Sequence, residues 1–262
     1  MRPRTIPFYL LILIAVYSCE KVIQVDLNSA APQIVIEGEV TNAPGPYQVK
    51  ISKTVNFSSG NIFPGVSGAS VKITDNTGVS DVLTETSPGV YKTNQVVGTS
   101  GNTYTLSVAV EGKQYNAVST MPAQVNLDSI TFERTSFFNN KRIFGVVNFK
   151  DPVGLGNYYR FTQSINGVVV PEPYAMEDRL SDGRNISRPL FTDTTEMKTG
   201  DNLLIKMYCI DEANYNYFRT YRLVTTNDNQ SASPANPVSN ISNGALGYFS
   251  AHTIQTKQIK VN

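Results

Sequence analysis

The chain has 262 residues and a mass of 28.8 kDa, enough for one large domain or two ordinary ones, and its 40% hydrophobic content can fill real cores. Its 22 basic and 21 acidic residues give a formal charge of +1, and removing Arg2 and Arg4 with a leader would leave 20 against 21, or −1. That balance argues against nucleic acid as a partner, because phosphate binding needs a concentrated excess of Lys and Arg.

In chain order, Arg2 and Arg4 form a short positive segment, Ile6 to Tyr17 an apolar one, and Ser18 a small residue before Cys19. This is the layout of a secretory signal peptide over residues 1–18. The apolar run of a dozen residues is too short for a spanning helix, which needs about 20. The junction "VYSC" resembles a bacterial lipobox, although Tyr17 replaces the small residue commonest at that position. The lipobox implies cleavage after Ser18, a lipidated Cys19 as the mature N-terminus, and a membrane anchor through several acyl chains. Cys209, the second of the two cysteines, is then left without a disulfide partner. Its apolar setting, "LLIKMYCID", predicts a buried thiol.

Residues 19–33 read as the lipidated N-terminus and a tether. From 34 to 122, runs of Val, Ile, Thr and Tyr in near alternation are cut about every ten residues by Gly, Pro and Asn. Strands are expected at 34–40, 47–55, 70–75, 80–86, 89–93, 103–110 and 113–120. Seven short strands at this spacing point to an immunoglobulin-like β-sandwich. "TDNTG" (74–78) and "VEGKQY" (110–115) carry turn chemistry between strands, and Met121-Pro122 closes the unit with a residue that cannot donate to a ladder.

A second β-rich domain is expected over 126–262, with strands at 127–133, 142–151, 158–167, 167–171 and 202–211. Between 172 and 200 the chain is polar, with Glu172, Glu177, Asp178, Asp182, Asp193 and Glu196, and reads as an irregular solvated loop; it lacks the ligand spacing of a calcium loop. A helix follows at 211–228, started by Asp211 and Glu212 and striped by Asn214, Tyr217, Phe218, Tyr221 and Val224, which should pack on the second sheet. Near the end, Pro234 and Pro237 interrupt regular structure, and "ALGYFSA" (245–251) should close over the second core before a last strand from Thr253. The fold class is therefore all-β with one helix.

Groups that move protons or hold metals are scarce. His252 is the single histidine, and no nucleophile elbow, phosphate loop or zinc-binding motif appears. A carboxylate-pair hydrolase is the one enzymatic alternative. The expectation is a non-enzymatic protein with no cofactor and no metal. Without tryptophan, any sugar stacking would fall to tyrosine. Tyr158 and Tyr159 are adjacent, so on a strand only one can face the core. Tyr158, Tyr159, Tyr248 and Phe249 are the candidate ligand or partner contacts.

The lipobox, the strand "GASVKITD" (68–75), "DPVGLGNYYRF" (151–161), the aromatic helix and "NPVSNISNGALGYFSA" (236–251) together resemble the lipoproteins of the domain of unknown function 4249 family from Bacteroidota. The resemblance covers the whole mature chain. It implies an outer-membrane lipoprotein, an accessory binding component working with a TonB-dependent receptor, and it brings no catalytic residues. A structural or adhesive lipoprotein is the alternative it leaves. It also implies O-glycosylation at Asp-Ser/Thr sites, for which "DSI" (128–130) and "DTT" (193–195) qualify.

Overall fold

Alternation governs the first half of the chain. In β1 (Ile34–Thr41), Ile34, Ile36 and Val40 are buried while Glu37 and Glu39 point to the opposite face. A computed structural model describes residues 31–56, 62–137, 140–192, 195–225 and 236–262. The signal segment, Cys19, Pro234, Asp193 and most of "DTT" lie outside the described residues. The first half continues through β2 (Gln48–Lys53), β3 (Ser70–Asp75), β4 (Ser80–Val82), β5 (Thr84–Ser87), β6 (Val90–Lys92), β7 (Thr103–Val110) and β8 (Lys113–Thr120).

These strands pair as β1-β2-β6-β5 in one sheet and β4-β3-β7-β8 in the other, the strand order of an immunoglobulin-like sandwich. Ile36, Ile51, Val71, Leu106 and Val108 fill the space between. Near the start of β7, the Tyr104 hydroxyl accepts from the Thr99 N–H at 2.7 Å and bonds back to the Val97 carbonyl, the tyrosine corner common in such sandwiches. The strand expected at 80–86 is divided. Leu83 turns inward, bonding its N–H to the Val71 carbonyl, and the chain crosses from one sheet to the other.

The second half contains β9 (Leu127–Phe137), β10 (Asn140–Lys150), β11 (Tyr158–Ile165), β12 (Val168–Val169), β13 (Tyr174–Glu177), β14 (Asn185–Leu190), β15 (Asn202–Ile210), α1 (Glu212–Thr225) and β16 (Leu246–Lys260). The stretch from 172 to 200 thus holds two strands instead of an irregular loop. β13 borrows backbone partners from β11 and β14 from β10, pairings that polar sequence does not announce. The sheet β14-β10-β9 covers one face of β12-β11-β15-β16, with Phe149, Tyr159, Phe161, Ile205 and Met207 between them. α1 covers the other face through Phe218 and Tyr217, as its aromatic stripe predicts.

β16 differs most from expectation. "ALGYFSA" and the last strand form one 15-residue element that serves both cores. Leu246 to His252 pair in parallel with Val35 to Thr41, placing Phe249 and Ala251 in the first core. Thr253 to Lys260 then pair antiparallel with β15 in the second unit. The result is one nine-stranded sheet running through both halves. Gly247 permits the junction: its φ is 93°, and a Cβ there would lie 2.0 Å from the Ile36 carbonyl oxygen.

Candidate functional site

The outer face of the continuous sheet, beside α1, gathers polar and aromatic side chains that lie outside the two large cores. Alternation sends Glu37 and Glu39 of β1 outward, and β16 sends Tyr248, Ser250 and His252 to the same face. The parallel register sets Glu37 beside Tyr248, and the antiparallel register sets it beside Lys50 on its other flank. Two clefts meet there. One, of about 440 Å3, is lined by Glu37, Glu39, Gln48, Lys50 and Tyr248 beside the loop 44–47. The second, of about 200 Å3, runs from Glu37 and Tyr248 past Arg160 and Thr162, walled by Tyr217 and Tyr221 of α1 and by Pro171 and Pro173 opposite. Shared lining by Glu37 and Tyr248 makes them one groove.

Arg160 anchors the inner end. Its side chain is 14% exposed and its guanidinium lies 3.8 Å from the Phe218 ring centroid and 4.8 Å from that of Tyr208. Its closest carboxylate among the described residues is Glu39 at 3.9 Å, and its Nε has no protein partner. The Tyr248 hydroxyl donates to Glu39 Oε1 at 2.9 Å. Burial, reinforced by the Glu39 charge, holds the Tyr248 phenol well above its usual range, and burial pushes that of Tyr217 up to about 12. Both therefore stay protonated as hydrogen-bond donors near neutral pH. Behind them His252, 1% exposed, bonds Ser250 Oγ through Nδ1 at 2.9 Å and stacks edge-on to Tyr208, and burial lowers its pKa to about 4. A neutral, enclosed imidazole whose hydroxyl partner, Ser250, is itself fully buried is built as packing rather than as a proton shuttle.

A second group is Asp151, Asp178 and Asp182, whose ligand-type oxygens lie within 4.8 Å of one another. Asp178 is buried, so the reading of the 172–200 acids as solvated is corrected for that residue, while Asp182 stays exposed as expected; the loop folds back onto the 151–157 turn. Their oxygens already accept from that turn. Asp151 takes the Tyr159 hydroxyl and the Gly183 N–H; Asp178 takes the Gly156 and Asn157 N–H groups; Asp182 takes the Gly154 N–H at 2.7 Å. Burial raises the Asp151 pKa, with the charges of Asp178 and Asp182 adding to it. The trio is the one cluster among the described residues with the oxygen donors a hard cation could use, but its hydrogen bonds make it a clamp on the turn. Val153, 88% exposed, and Leu155 stand on the clamped turn, and Leu180, also 88% exposed, on the 178–184 loop hydrogen-bonded to it.

A third cleft, of about 620 Å3, lies between β13, β14 and α1, lined by Arg179, Arg184, Arg188 and Tyr215. Two of those cations are engaged internally. Arg179 meets both Glu177 oxygens at 2.8 Å, and Arg188 donates to the Tyr174 hydroxyl.

Of the predicted contacts, Tyr248 sits in the groove and Tyr158 stacks on Tyr215 at 5.1 Å along the edge of α1. Tyr159 and Phe249 are fully buried, one in each core, and cannot touch a ligand. Alternation along the strand explains it: Tyr158 and Tyr248 face the α1 side of the sheet, so the residue after each must face inward. Sequence reasoning missed Glu37, Glu39, Lys50 and Arg160. The signal was available in "IVIEGEV", whose two glutamates alternate with core residues, and in Arg160, two positions from Tyr158 on the same face.

Among the described residues no helix is long and apolar enough to cross a membrane. No curated protein matches the chain. The model of one family, described as "Domain of unknown function (DUF4249)", matches residues 20–258, and the chain belongs to that family.

Proposed function

We propose that this member of the DUF4249 family is a non-catalytic binding lipoprotein of the outer membrane, anchored through Cys19 and acting beside a TonB-dependent receptor. The groove around Tyr248 carries the reading: it is open to solvent and bears hydrogen-bonding groups of both charges, and the phenol that meets a carboxylate in it, Tyr248 on Glu39, is held protonated by burial. The charge-then-apolar leader ending in "VYSC" supports the anchor. The tip formed by the two hydrogen-bonded loops, with Val153, Leu155 and Leu180 exposed on it, supports a protein partner, since apolar side chains gathered on a surface favour docking.

That tip also favours a second reading, a purely adhesive or structural lipoprotein that docks without binding a nutrient. Two experiments separate them. Affinity capture from solubilised outer membranes should recover a TonB-dependent receptor, and Val153→Asp with Leu180→Asp should abolish recovery. Tyr248→Ala should impair growth on one nutrient while the protein stays folded and anchored. Receptor capture with no growth phenotype for any groove variant would favour the adhesive reading, and capture of no receptor at all would contradict the uptake role.

A further inference from the structure

The charges and rings of the groove select a class of ligand. Its floor carries two carboxylates and two cations in alternation: Glu37 lies directly across from Lys50, and Glu39 faces Arg160 at 3.9 Å. Such a floor has no net charge, so an anion meets Glu37 and Glu39 and a cation meets Lys50 and Arg160. Around these lie neutral hydrogen-bonding groups, Gln48, Thr41 and Thr162, and the protonated Tyr248 phenol. Tyr221 and Tyr248, both half-buried, line the groove with ring atoms, and Tyr217, 8% exposed, packs behind Tyr248 at 4.9 Å.

We propose that the groove binds a neutral oligosaccharide, with Tyr248 as its central stacking and hydrogen-bonding residue. This rests on the reading above that the groove is where the protein holds its ligand. A sugar offers adjacent hydroxyls, each both donor and acceptor, that bridge carboxylate and guanidinium without adding charge, and a C–H face that packs on an aromatic ring. The two compartments meeting at Glu37 and Tyr248 give the groove length, which suits several linked units rather than one. An extended peptide is poorly served: β1, which floors the groove, is paired on both sides by β2 and β16, and the edge strand at the second compartment, β12, is only 2 residues long.

The test uses the full lipidated chain in detergent micelles on an array of neutral oligosaccharides, uronate-bearing oligosaccharides and short peptides. Retention on neutral glycans is expected, with Tyr248→Ala weakening it roughly tenfold or more and Tyr248→Phe keeping most of it. Glu37→Gln, at an exposed side chain, should weaken retention several-fold without altering the thermal melt, and it carries the test alone if Tyr248→Ala fails to fold. Retention of uronate-bearing glycans or peptides only, still dependent on Tyr248 or Glu37, overturns the ligand class and leaves the binding reading standing. No retention of any probe that depends on these residues overturns both.

Discussion

Asp211 accepts a hydrogen bond from the Ser119 hydroxyl at 2.5 Å, joining the residue before α1 to the last strand of the first sandwich. The same carboxylate takes the Thr120 N–H, and its other oxygen takes the Asn214 N–H at 2.9 Å, which is the N-cap bond of the helix. Ser119 Oγ in turn accepts from the Ala251 N–H at 2.8 Å. Helix, first sandwich and shared strand therefore meet at the pair of a buried Ser119 and a half-buried Asp211.

Asp211→Ala should cost about 2–3 kcal/mol, the sum of a lost cap and a buried hydroxyl left short of an acceptor. Asp211→Asn, which retains an acceptor for the cap, should cost about half as much. Urea unfolding of each variant checks this, and a cost no greater than that of a surface substitution would contradict the clamp.

Gly247→Ala should be among the most damaging single changes. The added methyl would sit 2.0 Å from the Ile36 carbonyl oxygen, and the residue would keep a positive φ. A loss of about 2 kcal/mol or more is expected, along with exposure of the groove face as β16 detaches from β1. Hydrogen exchange at residues 246–252 reads the second effect directly.

Buried His252 makes stability fall in mild acid. Its folded pKa is lowered to about 4 by burial, from an ordinary 6.5. The unfolded chain therefore takes up the proton first, and stability declines as pH drops from 6.5 to 4, then levels for this group. The full effect is on the order of 3 kcal/mol. The Ser250 hydroxyl, the Tyr208 ring and the charges of Glu39, Arg160 and Asp211 face the imidazole. His252→Gln should flatten the profile in that window. Asp81 acts elsewhere: burial alone would raise its pKa, but the Gln95, Val96 and Asn94 N–H groups bring it below 3.8, so its contribution is lost only at lower pH.

Cys209 should react with thiol reagents only through unfolding. Its sulfur is buried in the second core, where it accepts from the Val125 N–H at 3.3 Å, and burial pushes the thiol pKa up. Labelling of the native protein should track the unfolding rate, and fast labelling of fully native protein would contradict this placement.

The strands of the first sandwich were legible because each signals itself locally, through alternation and turn residues. "SVKITD" and "TYTLSVAV" match β3 and β7 to the residue, and the aromatic stripe placed α1 within a few residues of its ends. What local pattern cannot carry is a distant partner. Nothing in "ALGYFSA" indicates that it will lie in parallel beside a strand some two hundred residues earlier, so Tyr248 could be named as a contact while Glu37, its neighbour in the groove, could not. β13 and β14 were hidden for the same reason, since their short sequences without alternation, "YAME" and "NISRPL", become strands only against β11 and β10.

The proposed role beside an outer-membrane receptor requires the chain to be held at a membrane through Cys19. Metabolic labelling with an alkynyl fatty acid, in a bacterium that lipidates its own exported proteins, tests this most directly. The account predicts that the native chain takes up the label and partitions into detergent, while Cys19→Ala takes up none and stays as unprocessed precursor. A native chain without label, or a Cys19→Ala variant that keeps it, would contradict the anchor and with it the proposed role.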